Sequence, residues 1–406
     1  MDLLSGQPYW FYKNGIIHSY PNQPENTTTD VILMGGGITG ALIANALVKA
    51  GLRVVMVEKR HIGLGSTSGS TALLQYEIDT DLHKLTELIG KKKAERCYIR
   101  CIEAISELHE LIKKEKIEAD FSLRKSLYYA SSEKELPDLE KEFEARQRTG
   151  IDVEWWDKSR MRDTFPGIQK SGAIYSKNGG QVDALRLTHG LLQSDLKKGG
   201  LQIYDTVAVE TITHHARSVK VTLNTGHEVS AKYLVIACGY ESQEYLRRPV
   251  SVLHSTYAII SKPMPDLKPL WPDECLLWES ARPYLYMRTT EDSRMLIGGK
   301  DEPFQSAGKR DRLLTRKRKQ LESRAQKCMP HLPFTTDFSW CGTFAETPDG
   351  LPFIGTTDER SRTYFALGFG GNGILYSVIA AEIIRDGILQ KKNEDAELFS
   401  FDRKSA

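Results

Sequence analysis

The sequence predicts a mixed α/β chain, α+β overall, in which a Rossmann-like nucleotide-binding domain is combined with a β-sheet-rich second domain. Three observations carry this prediction. A strand, a glycine turn, a helix and a second strand follow one another between Asp30 and Glu58, which is a βαβ unit. A second glycine-rich turn, 368–373, opens an almost wholly apolar helix near the other end of the chain. Stretches rich in β-forming residues lie between these two segments and predict the second domain.

Composition narrows the classes of function. The chain has 406 residues, of which 40% are hydrophobic and 27% charged, as expected for a globular protein of two domains. Its formal charge of +2 gives no overall field that would attract nucleic acid. The basic run 316–319 is interpreted as the solvated face of a surface helix, with a basic binding patch as the alternative.

Membrane, signal and metal features are not expected. The sequence has no apolar run of about 18 residues, which predicts no membrane span, and its first 29 residues lack the pattern of a signal peptide. The six cysteines form no CxxC motif. Cys97 and Cys101 are interpreted as core residues of a helix, although a metal pair is an alternative. The sequence therefore predicts no metal, no structural disulfide and a cytoplasmic protein.

The elements follow in order from the first strand, 30–34, through the glycine turn to a helix at 41–50 and a second strand at 53–57. Apolar residues at helical spacing then predict one long helix over 82–117. The further predicted helices are 133–149, 183–198 and 373–384, and the further predicted strands are 126–130, 153–156, 207–213, 218–223, 233–237, 255–261, 284–288, 294–298 and 364–367. This order predicts a nucleotide-binding domain built from 1–88, 172–249 and 338–406, and a substrate domain built from 89–171 and 250–337.

The first glycine turn has the residues that a dinucleotide needs. Gly35 permits a tight turn, Gly37 lets a pyrophosphate approach the backbone, and Gly40 lets the helix pack against the strand. The start of the helix offers free N–H groups and a positive dipole end to phosphates. Glu58 ends the second strand, where its carboxylate can accept the ribose hydroxyls.

Two further segments favour FAD over a nicotinamide cofactor. The chain does not continue with regular βα units, and 65–71 is rich in serine, glycine and threonine, which suits close approach to a second phosphate and a flat ring. An ordinary flexible loop is the alternative there. The turn 368–374 would place a helix N-terminus beside the ring of a long cofactor, where it favours negative charge.

Together these segments resemble the D-amino-acid oxidase family of FAD-dependent oxidoreductases, which includes glycine oxidase and sarcosine oxidase. The resemblance rests on the βαβ unit, the loop 65–74, Val207, the strand end 237–239, the motif 347–355 and the turn 371–373, in that order. It implies an FAD-binding domain of the glutathione-reductase type, FAD bound in an extended form, and a substrate-domain sheet over the flavin. It also implies oxidation of a C–N bond by hydride transfer to flavin N5.

The resemblance assigns cofactor contacts residue by residue. They are Gly35, Gly37, Ile38, Thr39, Gly40, Glu58, Lys59, Ser66, Thr67, Thr71, Ala72, Leu73, Val207, Ala237, Gly239, Gly371, Asn372, Gly373 and Ile374.

Three positions depart from the family pattern. The arginine that clamps a substrate carboxylate in amino-acid oxidases is replaced by Phe344, which favours an amine or a bulkier amino compound. The cysteine that carries flavin covalently in sarcosine oxidases corresponds to Gly342, with Cys341 one residue away, so FAD is expected to be bound non-covalently. The lysine that assists oxygen in those oxidases falls at Leu296, so the sequence leaves the electron acceptor as oxygen or an unknown compound.

On the substrate side, the candidate catalytic residues are Tyr257, Tyr286, Arg288 and Lys300, on or next to strands expected to face the flavin. The alternative for each is a sheet residue with a satisfied polar tip.

The predicted function is FAD-dependent oxidation of a small amine or amino-acid-like molecule. The alternatives are a dehydrogenase of a hydroxy compound that uses an acceptor other than oxygen, a flavoprotein subunit of a larger redox complex, and a nicotinamide dehydrogenase.

Overall fold

The computed structural model describes residues 3–168, 171–264 and 267–403. Within these ranges the helices are α1 (Tyr9–Asn14), α2 (Ile38–Lys49), α3 (Ser66–Gly69), α4 (Leu82–Ile89), α5 (Lys91–Glu115), α6 (Leu136–Arg148), α7 (Lys158–Thr164), α8 (Ala184–Lys198), α9 (Leu267–Leu270), α10 (Ala307–Cys328) and α11 (Gly373–Ile388). The strands are β1 (Leu4–Gly6), β2 (Thr27–Met34), β3 (Val54–Val57), β4 (Leu73–Gln75), β5 (Ser122–Leu123), β6 (Ser126–Tyr129), β7 (Val153–Asp157), β8 (Gly172–Ser176), β9 (Gly179–Gln181), β10 (Leu201–Tyr204), β11 (Val209–His214), β12 (Val219–Leu223), β13 (Glu228–Ile236), β14 (Val252–Ser261), β15 (Leu276–Glu279), β16 (Leu285–Thr289), β17 (Met295–Pro303), β18 (Thr336–Glu346), β19 (Phe353–Thr356) and β20 (Thr363–Leu367).

The first sheet, here called the nucleotide sheet, has a parallel centre in the order β10-β3-β2-β13-β20. Strand β13 also continues into the antiparallel ribbon β12-β11, and β19 pairs with β20. Strands β2 and β3 with helix α2 form the predicted βαβ unit. The predicted α/β class is confirmed.

The two faces of the nucleotide sheet are covered differently. Along β2, Val31 and Leu33 belong to a core with helices α2, α5, α8 and α11, whereas Ile32 and Met34 belong to a second core under the ribbon. Successive side chains of a strand point to opposite faces, and a parallel strand covered on both faces is apolar throughout. All four residues are buried.

The second sheet, here called the substrate sheet, runs in the order β1-β18-β14-β17-β16-β15-β6-β8-β7. On one face, Tyr257 and Ile259 of β14 pack into a core with residues of α10. On the opposite face, Ala258 and Ile260 join the core that contains the helices of the nucleotide sheet. The substrate sheet therefore presents alternate residues of β14 toward the nucleotide domain. A small sheet, β4-β9-β5, lies beside these two.

The predicted domain boundaries need four corrections. Strand β8 and residues 338–346, which are part of β18, belong to the substrate sheet, and so does β1 at the N-terminal end. Helix α5 lies within the predicted substrate segment 89–171, yet its buried face joins the core of α2 and α11. The reason is that apolar periodicity identifies an element, whereas strand and helix partners lie far away in the sequence.

One helix prediction also changes. The predicted helix 82–117 is two helices, α4 and α5, separated at Gly90, whose φ of 86° lies in the left-handed region where an α-helix cannot continue.

No helix in the described ranges is long and apolar enough to cross a membrane. Within the same ranges no group of three or more His, Cys, Asp or Glu side chains is placed to hold a metal ion, and Cys97 and Cys101 are buried core residues. In the basic run, Arg316 is exposed, but Lys317 is buried beside Glu302 with its Nζ 2.6 Å from Oε1.

Candidate functional site

A long cleft lies between the nucleotide sheet and the substrate sheet. One end is formed by the start of α2, the end of β3 and the segment 237–245, and the other by β14, β17 and β18. The loop 63–75 and the turn 367–374 line the length between them. These are the segments that the sequence singled out at both ends of the chain.

The glycine turn before α2 forms a close contact of backbone with backbone. Gly35 has a φ of 110°, and a Cβ built on it would lie 2.3 Å from the carbonyl oxygen of Ala237. A Cβ on Gly40 would lie only 1.9 Å from the carbonyl oxygen of Gly35. Glycine is therefore required at both positions, and the start of α2 is left open toward the cleft.

Glu58 is held in place by two backbone N–H groups at the end of β3. The N–H of Gly36 donates to Oε2 at 2.7 Å, and the N–H of Arg60 donates to Oε1 at 2.7 Å. Each carboxylate oxygen has a further lone pair. The carboxylate can therefore accept ribose hydroxyls while it fixes the turn.

An ion-pair network beside Glu58 was not predicted from the sequence. Glu241 is almost fully buried and accepts hydrogen bonds from Lys59 Nζ at 2.8 Å and from Arg60 at 2.9 Å. Burial alone would raise the pKa of this carboxyl, but the hydrogen bonds from Arg60 and Lys59 outweigh burial and lower it to about 2. No signal in the sequence connects Glu241 to residues 59 and 60, because they meet only in the folded chain.

The loop 63–75 carries an unpartnered polar group. Ser66 Oγ lines the cleft, is buried and has no hydrogen-bond partner among the described residues. Its neighbour Thr67 accepts a hydrogen bond from the N–H of Ile38 at 3.0 Å. A buried hydroxyl without a partner costs free energy, and a phosphate oxygen beside it would satisfy it. The loop therefore fits a pyrophosphate.

The turn before α11 is fixed by residues from the segment that follows β4. The N–H of Gly371 donates to Asp79 Oδ2 at 2.8 Å, and Asn372 Nδ2 donates to the carbonyl oxygen of Glu77 at 2.7 Å. Helix α11 begins at Gly373, which lines the cleft with Ile374. The helix N-terminus therefore faces the cleft as the sequence predicts.

The structure brings most of the expected cofactor residues to one cleft. Those that line it are Gly35, Gly37, Ile38, Thr39, Glu58, Lys59, Ser66, Thr67, Thr71, Ala72, Leu73, Val207, Ala237, Gly239, Gly371, Gly373 and Ile374. Gly40 lies behind the turn against Gly35, and the amide of Asn372 is turned to Glu77, so these two act on the shape of the cleft.

Of the four candidate catalytic residues, only Tyr286 lines the cleft. Tyr257 lies on the opposite face of β14, where its hydroxyl donates to the carbonyl oxygen of Arg310 at 3.4 Å. Its neighbours Thr256 and Ala258 line the cleft instead, since side chains alternate along a strand. The position of the strand was predicted correctly from the sequence, but which of its side chains point into the cleft was not.

Arg288 shares a strand face with Tyr286 but is covered. Its guanidinium lies 5.2 Å from the ring of Trp10 in α1, and it is only 2% exposed. Burial lowers its pKa to about 10. The sequence could not show that α1 covers this part of β16, so a contact of Arg288 with substrate is no longer assigned.

A bulge in β17 moves Lys300 out of the cleft. Gly299 and Lys300 have φ angles of 126° and 60°, and the pairing of β14 with β17 shifts register there. The carbonyl oxygen of Lys300 accepts a hydrogen bond from Lys317 Nζ at 2.7 Å. A bulge interrupts the alternation of side chains, and Asp301, which the sequence did not indicate, lines the cleft.

The substrate end of the cleft is aromatic and acidic. It is lined by Thr256, Tyr284, Tyr286, Asp301 and Phe344. Burial raises the pKa of Tyr286 to about 12 and places that of Tyr284 well above its usual range, so both phenols are neutral hydrogen-bonding groups.

Cys341 does not face the flavin position. Its Sγ lies in the core under α10, 3.5 Å from Asp311 Oδ1, whereas the next residue, Gly342, lines the cleft. Burial raises the pKa of the Cys341 thiol to about 12, which keeps it protonated and unreactive.

The chain belongs to the DAO family of FAD dependent oxidoreductases, because residues 30–386 match that family. It is similar to gamma-glutamylputrescine oxidoreductase of Escherichia coli K12, with 26% identity over 374 residues that cover 89% of this chain and 84% of the relative. It is also similar to glycine oxidase of Geobacillus kaustophilus, with 27% identity over 389 residues that cover 92% of this chain and 96% of the relative.

Solved structures show the same fold. The crystal structure of Geobacillus kaustophilus glycine oxidase superimposes with a TM-score of 0.79 at 23% identity, covering 93% of this chain and all of that one. L-proline dehydrogenase from P. horikoshii gives a TM-score of 0.76 at 18% identity, covering 93% of this chain and 97% of that one. The predicted family, fold, FAD cofactor and oxidoreductase class are confirmed.

Proposed function

We propose that this protein oxidises the C–N bond of a small amine that lacks a carboxylate beside the reacting carbon. The observation that carries the proposal is the substrate end of the cleft, which has Phe344 and Asp301 on its wall and none of the described arginines or lysines. A carboxylate there would find none of the described lysines or arginines on the lining to pair with. An amine would find two phenols, a hydroxyl and a carboxyl.

The names of the relatives support amine chemistry. Gamma-glutamylputrescine oxidoreductase and glycine oxidase are named for nitrogen-containing compounds, and both are similar to this chain over most of its length. FAD supplies the hydride acceptor for such an oxidation when it is bound. In the protein itself, the start of α2 and the loop 63–75 would bind the phosphates. The substrate sheet would exclude water from the reacting atoms.

The proposed cofactor contacts are the residues that line the cleft, with Glu58 on the ribose and Ser66 on the pyrophosphate. We propose that FAD is held without a covalent bond, which the position of Cys341 in the opposite core supports. Trichloroacetic acid precipitation should therefore release all the yellow colour into the supernatant. Colour that stays with the pellet would contradict this.

The experiment that tests the function is an anaerobic titration of the yellow protein with n-butylamine, N-methylglycine and glycine, with n-butanol as the matched alcohol. Bleaching of the flavin bands by an amine, with release of ammonia or a smaller amine, supports the proposal. Bleaching by n-butanol alone would contradict it. Return of the colour in air would identify oxygen as the acceptor, and persistent bleaching would identify another acceptor.

We infer that the protein works in the reducing cytoplasm. The support is that none of its six cysteines, all of them in the described ranges, forms a disulfide, and that five of them are buried. Titration of thiols in the denatured protein without reductant should give six per chain, and fewer would contradict the inference.

A further inference from the structure

Asp301 presents an unsatisfied carboxylate oxygen at the substrate end of the cleft. It follows the bulge in β17, and its side chain lines the cleft. Its Oδ1 is buried and has no hydrogen-bond partner among the described residues. A buried acceptor without a donor costs free energy, and a ligand that donates a hydrogen bond to Oδ1 would remove this cost.

The surroundings of Asp301 make this oxygen a stronger base than an ordinary carboxylate. The pKa of Asp301 is raised to about 7, and burial is the largest cause. The charges of Glu346 and Asp79 act in the same direction, whereas a hydrogen bond from Thr256 and the charge of Lys317 act against it. The titratable groups that act on it are Asp79 beside the turn 370–371, Glu346 on β18, Lys317 on α10, Tyr284 before β16 and Tyr286 on β16. Among the cations, Lys317 is paired with Glu302. Arg282, just before β16, acts on Asp79 and Glu346. His254 on β14 lies with its Nε2 3.4 Å from Glu346 Oε2.

The same end of the cleft also has an apolar group on its wall. Phe344, on β18, is 8% exposed and lines the cleft with Asp301. A cation is therefore favoured over an anion at this end of the cleft, since Asp301 lines it and none of the described lysine or arginine side chains does.

We propose that Asp301 binds the ammonium group of a cationic amine substrate through Oδ1 and accepts its proton before the C–N bond is oxidised. The inference rests on the proposed function. In this step an N–H bond breaks and an O–H bond forms, and the electron pair stays on the nitrogen. No group is oxidised or reduced. The product is a neutral amine and a neutral carboxyl group.

The raised pKa makes this transfer feasible. An alkylammonium resembles lysine, with a pKa of about 10.4, and an ordinary aspartate has one of about 3.9. Moving the proton to an ordinary aspartate is unfavourable by roughly six orders of magnitude. With the pKa of Asp301 at about 7, the same transfer is unfavourable by only roughly three orders of magnitude. A fast oxidation that follows can consume the neutral amine as it forms, so the small equilibrium amount is sufficient.

The test compares the unchanged holoenzyme with Asp301→Asn, which keeps the shape and removes the charge. The probe is n-butylamine, titrated anaerobically while the flavin absorbance is followed, from pH 6 to pH 9. For the unchanged protein, affinity should rise as the pH passes through about 7, because the carboxylate is present above its pKa. Asp301→Asn should bind n-butylamine roughly thirtyfold or more weakly at pH 8 and should show no such rise.

The matched control is Asp337→Asn, the same exchange on β18 of the same sheet, at a side chain that pairs with Arg294 and does not line the cleft. Its n-butylamine affinity should stay within about threefold of the unchanged protein. Both variants should bind n-butanol as the unchanged protein does. Asp301→Glu should recover part of the affinity, which separates loss of charge from loss of folding.

Equal n-butylamine affinity and equal pH dependence in Asp301→Asn would overturn the proposal, as would the absence of n-butylamine binding to the unchanged holoenzyme. The proposed function fails separately. If n-butylamine binds through Asp301 but none of the tested amines bleaches the flavin, the binding role of Asp301 is supported and the proposed amine oxidation is contradicted. If an amine bleaches the flavin of Asp301→Asn as fast as that of the unchanged protein, amine oxidation stands and the role of Asp301 falls.

Discussion

Gly40 sets the distance between helix α2 and the turn that precedes it. A Cβ at this position would meet the carbonyl oxygen of Gly35 at 1.9 Å, and that contact is with backbone, so no side chain can move away to relieve it. The turn and the helix would have to separate, and the phosphate site at the start of α2 would widen.

We therefore expect Gly40→Ala to lower the free energy of unfolding by about 1–3 kcal/mol and to weaken FAD binding by at least tenfold. Thermal unfolding and FAD fluorescence titration measure the two effects. The control is Gly308→Ala in α10, where a Cβ would meet only Arg312 at 3.6 Å. This change should leave FAD binding unaltered and should raise the free energy of unfolding by up to about 1 kcal/mol, because alanine is the better helix former. A Gly40→Ala protein that behaves like it would contradict the prediction.

The Glu241 carboxyl should make the folded protein less stable as the pH falls. Its pKa is about 2 in the folded protein, below the usual 4.5, because Arg60 and Lys59 hydrogen-bond to the charged form despite burial. A lowered folded pKa stabilises the protein above about pH 4.5 and the stabilisation is lost as the pH falls toward about 2.

Glu241→Gln should therefore unfold at a lower temperature than the unchanged protein at pH 7, and the difference should shrink steadily between pH 4.5 and pH 2. Thermal melts followed by circular dichroism at several pH values measure this. A difference that stays constant over that range, or that grows as the pH falls, would show that Glu241 does not act through its charge.

Helix α8 depends on one buried cap. Asp183 is fully buried, and its Oδ1 accepts hydrogen bonds from the N–H groups of Leu185 at 3.1 Å and Arg186 at 3.0 Å. Its Oδ2 also accepts from Asn14 at 2.8 Å. The cap thus joins the start of α8 to the N-terminal segment.

Asp183→Ala should lower the free energy of unfolding by about 1–2 kcal/mol, measured in urea. The comparison is Ser306→Ala at the start of α10, an exposed cap that accepts only from Lys309. Its loss should cost about 0.5–1 kcal/mol. A larger effect at Ser306 than at Asp183 would contradict the view that burial adds to the value of this cap.

The elements show where sequence reasoning succeeds. Strand β2, helix α2 and strand β3 were predictable because each is locally encoded, by an apolar run, a glycine turn and an apolar helix. The bulge at Lys300 was not, since it depends on pairing of β17 with β14. For the same reason the facing of Tyr257, which is one residue away from the cleft-lining Thr256, could not be read from β14 alone.

The nucleotide sheet and the substrate sheet both line the cleft, and FAD would contact both. The wall at one end comes from the nucleotide sheet and the wall at the other from β14, β17 and β18. A ligand that binds only the folded state stabilises it by mass action, by about 2.7 kcal/mol when its concentration is 100 times its Kd.

FAD added to the apoprotein should therefore raise the unfolding temperature by several degrees and keep the transition single. Riboflavin is the matched control, because it has the ring but none of the phosphates that the start of α2 and Ser66 would hold. An equal rise with riboflavin would contradict the assignment of the phosphate site, and two separate transitions with FAD would contradict binding across both sheets.

For the whole molecule, the cleft could be predicted from the sequence, but the assignment of each strand to its sheet could be predicted less well. The glycine turns and Glu58 predicted one cleft from segments at both ends of the chain, and the structure places them together. The assignment of β8 and β18 to the substrate sheet was not predictable, because their pairing partners β6 and β14 are defined only by long-range contacts. Trp10, whose indole donates to the carbonyl oxygen of Ser70 at 2.6 Å, was missed for the same reason.

The pairing of β1 with β18 has a consequence for biosynthesis. Leu4 pairs with Gly342. Strand β1 is therefore translated early, whereas its partner β18 is translated near the end of the chain. At about 5–20 residues per second the ribosome needs on the order of tens of seconds for the interval. Leu3 and Leu4 form part of the cleft wall, and that wall cannot take its place until β18 has emerged. A nascent chain thus keeps its cofactor site open, with an unpaired strand edge that chaperones can bind, until translation is almost complete.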